Sequence, residues 1–138
     1  MSQRNTVTSV TAQWIDTALW AFAFMCAAMT VYFSLGPVPP GTEAFRFADK
    51  VWHFLAYAAS VAGFLFAAVW RPGRGPGRFP WATSVIVFGS VALGGAIELL
   101  QGHFFGRTMD PMDALADLMG SLAAFVFWRL TMELAPRA

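Results

Sequence analysis

The sequence predicts an all-α fold: a four-helix transmembrane bundle with both termini in the cytoplasm. Three observations carry this. Of the 138 residues, 57% are hydrophobic and only 12% are charged, with a mean hydropathy of +0.55; a soluble domain of this size could not cover its surface with so few charges. Four apolar runs recur along the chain, each close to the roughly 20 residues that a helix needs to cross a ~30 Å hydrocarbon core. The runs are apolar on all sides and do not alternate, which excludes membrane strands as their explanation.

The first run, 17–35, is uncharged for 19 residues. It follows a polar leader, 1–13, whose only basic residue is Arg4. The run exceeds the roughly 7–15 apolar residues of a signal peptide, and its exit, Gly36-Pro37-Val38-Pro39-Pro40, has no A-x-A cleavage pattern. It reads as a retained helix. Cys26 lies in its middle; a single cysteine forms no internal disulfide, and this one reads as a small core hydrophobe. The second run, 51–70, carries only His53, and the third, 81–97, is uncharged. The fourth, 112–130, is weaker because Asp113 and Asp117 fall in its first turns. Together the four make one domain, 14–132, followed by a short tail, 133–138.

Charge placement orients the bundle. The second connection, 71–78, is a basic turn containing Arg71, Arg74 and Arg78. If it is cytoplasmic, so are both termini, and six of the nine Lys/Arg lie inside, leaving Arg46, Lys50 and Arg107 outside. Trp20, Trp52, Trp70, Trp81 and Trp128 fall near expected helix ends, where amphipathic rings favour the interface. Net charge is +1 and no basic stripe with interleaved aromatics is present, so no nucleic-acid partner is expected.

The same orientation sends six of the eight acidic residues outward: Glu43, Asp49, Glu98, Asp110, Asp113 and Asp117. On the second helix Asp49, His53 and Tyr57 share a face at i, i+4, i+8. On the third, Gly94, Glu98 and Gln101 form a stripe, and Gly94 with Gly95 permits close helix approach. On the fourth, Asp110, Asp113, Asp117 and Gly120 recur on one face. Three polar stripes at similar depth are expected to face one another, since an ionised group near the bilayer centre costs about 2.5–3.5 kcal/mol. Some of these residues have simpler uses. Asp110-Pro111-Met112-Asp113 is a helix start, with Asp110 as cap and Asp113 near the positive helix end. Asp49 can pair with Arg46 or Lys50, Arg107 can bind lipid phosphate, and Tyr57 can be core. Glu98 and Asp117, set within apolar spans, are harder to explain in this way.

These residues also carry a resemblance. The order Asp49-Lys50-x-x-His53-Phe54-x-x-Tyr57, then Glu98-Leu-Leu-Gln101, then Arg107-x-x-Asp110-x-x-Asp113-x-x-x-Asp117-x-x-Gly120 resembles the VanZ-like family of bacterial integral membrane proteins, over roughly residues 14–132. The resemblance implies a compact multi-pass domain in the bacterial cytoplasmic membrane. Because the founding member is associated with resistance to the glycopeptide teicoplanin, it also implies a cell-envelope role. One position departs from the pattern: the family usually has asparagine where this chain has Asp117, and an acid there adds a titratable group.

Two functions follow as expectations. The first is a binding or modulating protein whose polar site engages membrane lipids, a lipid-linked cell-wall precursor or a glycopeptide ligand. The second is a membrane-embedded acid/base or metal-assisted enzyme acting on a lipid or lipid-linked glycan, with His53 near Asp49 as an oriented general base and Glu98 as general acid, or with the converging His, Glu and two Asp holding a divalent metal. No HExxH, GxSxG or phosphate loop is present, so the sequence assigns no catalytic residue, cofactor or metal. A transporter fits less well, since four short helices leave little room for alternating access unless the chain forms a homodimer.

Overall fold

The computed structural model describes residues 2–36, 45–69, 80–104 and 110–134, with the side chains of residues 2–10, 69 and 80 outside the description. Four helices fill these segments: α1 (Ser2–Leu35), α2 (Ala48–Val69), α3 (Pro80–Phe104) and α4 (Pro111–Leu134). No strand occurs among the described residues. Each helix is long and apolar enough to cross a membrane, which is the makeup of a multi-pass membrane protein. Glu43, Trp70, the basic turn 71–78 and Arg107 lie outside the described residues.

Local sequence explains the ends. Nothing between Ser2 and Leu35 is glycine or proline, and the helix runs through the polar leader from Ser2. It stops at Gly36, whose amide donates to the Tyr32 carbonyl at 2.7 Å, and Pro37 follows in the sequence. Proline opens both α3 and α4, where its missing N–H costs nothing. The last helix ends at Leu134, two residues into the expected tail.

α2 is the central helix. It packs most extensively against α4 and next against α1, while α3 leans on α4 and α2 and touches α1 lightly; α1 and α4 do not meet among the described residues. The α1/α2 contact uses small residues and a hydroxyl pair. A Cβ on Gly63 would lie 3.0 Å from the Ala23 Cα, and Thr30 Oγ1 and Ser60 Oγ share a hydrogen bond of 2.9 Å in the span interior. Phe24 meets Phe64 edge-on at 5.4 Å beside them. The α2/α4 contact is tighter still. A Cβ on Gly120 would run into the Phe54 carbonyl oxygen and lie 3.2 Å from the Ala58 nitrogen. Toward the other end, Val61, Leu65, Ala124 and Trp128 form the buried apolar core.

Trp128 is only 6% exposed in that core, so it is not an interfacial ring as its position suggested; the α4 stripe that carries Asp117 and Ser121 rotates it inward. Trp20 likewise sits well inside its span, against Phe24 and Phe64. Trp52 and Trp81 are exposed near helix starts, as expected. The exterior is apolar, with Phe88 at 74% exposure and Leu99 at 60%, whereas Thr30, Ser60, Glu98, Gln101, Asp117 and Ser121 are buried. Polar inside and apolar outside is the distribution for a lipid solvent.

This packing makes opposite predictions for two glycines. Gly120→Val should lower stability by about 1–3 kcal/mol through overpacking against the α2 backbone. Gly95→Ala should raise stability by up to about 1 kcal/mol through helix propensity, because a Cβ there meets nothing within 4 Å. Melting temperatures of the detergent-solubilised variants check both.

Candidate functional site

The ends of α1 and α3 and the starts of α2 and α4 lie together at one end of the bundle, and their polar side chains converge there. Lys50, in the first turn of α2, is the hub. Its ammonium donates to Asp49 Oδ2 at 2.8 Å and to Asp113 Oδ1 at 2.6 Å, and it also contacts Asp110 Oδ2. Asp110 fills both of its expected roles at once. Its Oδ1 accepts from the Met112 amide at 2.9 Å, capping α4, while Oδ2 faces Lys50. The bond from Lys50 and that from the Met112 amide hold its carboxyl below the usual aspartate range. Asp113 turns its carboxylate across to α2 and away from its own helix start.

A second tier lies deeper. His53 Nδ1 and Asp117 Oδ1 share a hydrogen bond of 2.9 Å, and His53 Nε2 faces Asp113 Oδ2 at 3.9 Å. Asp117, Tyr57 and Gln101 are each 3% exposed, and Glu98 is 5% exposed. Glu98 Oε2 accepts from the Asp110 amide at 3.4 Å, tying the end of α3 to the start of α4. Its other oxygen, Oε1, is buried without a partner, as is Tyr57 Oη. Gly94 makes this tier fit. A Cβ there would lie 2.9 Å from Asp117 Oδ2 and 3.1 Å from Tyr57 Oη, so any side chain would displace both. Gly95, expected to share that role, faces open space. The side-chain amide of Gln101 donates to the Ser34 carbonyl, one of the last acceptors of α1 that has no intrahelical partner.

The three stripes therefore meet as expected: Asp49, Lys50, His53 and Tyr57 from α2, Glu98 and Gln101 from α3, and Asp110, Asp113 and Asp117 from α4. Arg107 falls outside the described residues. One pairing differs. His53 bonds to Asp117 and not to Asp49, because Asp49 lies a turn nearer the helix start, where it is 44% exposed and claimed by Lys50. Arg46, the other partner considered for Asp49, stacks its guanidinium 5.4 Å from the Phe47 ring centroid.

Beside the site, α1 and α2 flank a cleft of about 520 Å³. Its walls are Met25, Cys26, Met29, Phe33, Leu55 and Ala59, and Asp49, His53 and Tyr57 line it as well. Cys26 is thus half-buried on a groove wall and not in the core. No periodicity in the sequence signals this cleft, since it depends on how two apolar faces pack.

Five carboxylates, one lysine and one histidine thus share a half-buried space. Two sets can offer converging ligand atoms to a cation: Asp49, Asp110 and Asp113, where the Lys50 ammonium already sits, and His53, Glu98 and Asp117.

Removing Lys50 as Lys50→Met should destabilise the protein by about 3 kcal/mol, the lower end for breaking a buried pair, because the side chain is 18% exposed. Chemical unfolding in detergent measures this. Acid should act in the same direction. A carboxyl whose native pKa is lowered stabilises fully above its unfolded value, about pH 4, and loses that contribution as pH falls through the native value. Asp110→Asn should therefore flatten the fall in melting temperature below about pH 4.

No family model, curated protein or solved structure matches this chain.

Proposed function

We propose that this chain is a VanZ-like protein of the bacterial cytoplasmic membrane that binds an amphiphilic component of the cell envelope, its termini in the cytoplasm and its polar site at the outer leaflet. The observation that carries the reading is the apolar α1/α2 cleft opening beside the converged polar groups. An acyl or prenyl chain would lie between Met29, Phe33 and Leu55, and its head would reach His53 and Asp49. The ligand class is a membrane lipid, a lipid-linked cell-wall precursor or a glycopeptide, and sequestering or modulating it would contribute to teicoplanin-type resistance. The meeting of Lys50, His53, Tyr57, Glu98, Gln101, Asp110, Asp113 and Asp117 in one place supports the family resemblance, because residues that define a motif are then also spatial neighbours. The six-to-three excess of Lys/Arg on the side of the basic turn supports the orientation.

A second reading is favoured by one pair. His53 held by Asp117 at 2.9 Å, with the unpartnered Glu98 Oε1 nearby, is the arrangement of an oriented base and an acid. It would act on a lipid or lipid-linked glycan, and turnover by purified protein separates it from binding alone.

Glu98→Ala and Asp113→Ala should each lose at least four-fold in teicoplanin tolerance at unchanged membrane abundance. Lost abundance with lost tolerance would instead mean that these side chains only hold the bundle together. Ala59→Trp, which fills the cleft and leaves the polar groups intact, should reduce co-purifying lipid, measured by native mass spectrometry, by about ten-fold. Labelling of a cysteine placed at residue 2, in a Cys26→Ala background, should require a membrane-permeant reagent.

A further inference from the structure

The two carboxylate sets at the polar end differ in how their charge is met. In the first, the Asp49, Asp110 and Asp113 oxygens surround the Lys50 ammonium, so the protein supplies its own cation. In the second, His53, Glu98 and Asp117 each offer one ligand atom, all within 4.8 Å of one another. No lysine or arginine among the described residues pairs with that set. Both carboxylates are more than nine-tenths buried within membrane-spanning helices.

An independent observation points to a ligand. Glu98 Oε1 is buried with no hydrogen-bond partner, and so is Tyr57 Oη, which shares the space in front of Gly94 with Asp117 Oδ2. Buried polar atoms are ordinarily satisfied, and an orphaned carboxylate oxygen is the costliest kind to leave. The donor chemistry narrows the ligand. One imidazole with two carboxylates suits a borderline divalent ion, whereas soft ions require sulfur and Ca²⁺ prefers oxygen alone. The geometry needs little adjustment. Donors about 2.0–2.1 Å from a tetrahedral ion stand about 3.4 Å apart; His53 Nδ1 and Asp117 Oδ1, 2.9 Å apart across their hydrogen bond, would part slightly as the ion replaces the shared proton, and Glu98 offers an oxygen within 4.8 Å of the other two ligand atoms. The other imidazole nitrogen, Nε2, faces Asp113 Oδ2 at 3.9 Å. A shift of about 1 Å would complete the carboxylate–histidine–metal arrangement that orients ligating histidines.

We propose that His53, Glu98 and Asp117 form a binding site for one divalent transition-metal ion, Zn²⁺ in the first instance, with a fourth position open toward Tyr57. The acid at position 117 then has a direct use, since it supplies an anionic donor that asparagine would not. The bound ion would offset the surplus of carboxylates and give the site a Lewis-acidic centre that attracts an anionic head group. This inference concerns the metal alone and does not depend on the identity of any lipid ligand.

The test uses the full chain in detergent, stripped with a chelator, exchanged against ZnCl₂ and desalted. Plasma emission should find one Zn²⁺ per chain in the parent protein. Glu98→Gln and Asp117→Asn should each retain less than a tenth of that, and Glu133→Gln, at the opposite end of the bundle, should retain it all. Zinc should raise the melting temperature of the parent and not that of the two variants, whose metal-free melting and gel-filtration profiles report whether they fold. If they do not fold, the Co²⁺-loaded parent decides the matter: visible d–d bands of a four-coordinate nitrogen/oxygen site support the proposal, and their absence overturns it. No zinc retained by the parent, or equal retention by folded Glu98→Gln, also overturns it. A parent that takes no zinc yet still co-purifies with lipid would sink the metal site and leave the ligand proposal standing; zinc without lipid would do the reverse.

Discussion

Inside a bilayer a polar side chain must find its partner within the protein, because hydrocarbon offers none. In this chain that constraint concentrates on Lys50. Its ammonium is the one lysine or arginine charge among the described residues that meets carboxylates from more than one helix. By joining Asp49 on its own helix to Asp110 and Asp113 at the start of α4, it brings α2 and α4 together at the polar end. The Gly120 contact and the apolar core of Val61, Leu65, Ala124 and Trp128 then hold the same two helices together below it. The α2/α4 pair is the most extensive contact in the bundle, and the site is built on it.

Depth sorts the chemistry. Asp110 and Asp113 occupy a cap and a first turn, where water and the positive helix end ease the cost of negative charge, whereas Lys50, also in a first turn, relies on its three carboxylates. Asp117 lies six residues beyond Pro111, about 9 Å further along the helix, and Glu98 is set back similarly from the end of α3. Those two depend on short-range partners: the His53 ring for Asp117, and the Asp110 amide for one oxygen of Glu98. Gly94 is what admits them, since a side chain there would occupy the place of Asp117 Oδ2 and Tyr57 Oη. The unpartnered atoms of this end, Glu98 Oε1 and Tyr57 Oη, belong to this deeper tier and not to the Lys50 cluster.

The cleft between α1 and α2 complements that arrangement. Along the α1/α2 seam, held by Gly63 against Ala23 and by the Thr30–Ser60 hydrogen bond, runs a groove with apolar walls and a polar neighbour. Such a shape suits a molecule with a hydrocarbon tail and a polar head. Placing both features on α2 means that a ligand in the groove would sense the state of His53 directly.

The sequence alone determined the four membrane-length helices, because apolar runs of that length have no other stable form in lipid. It also determined that α2, α3 and α4 each carry a polar stripe, because helical periodicity places residues three and four apart on one face. What it could not determine was partnership. Asp49 and Asp117 are equally reachable from His53 by residue type, and only the close packing of α4 on α2, with Gly120 against the Phe54 carbonyl, brings Asp117 to the ring. Gly94 and Gly95 are indistinguishable as letters, yet one faces the site and the other faces open space. Trp128 reads as an interfacial ring until the rotation of α4 turns it into the core. The cleft left no trace in the sequence, for it is a gap between helices, and gaps are decided by crossing geometry and not by the composition of either face.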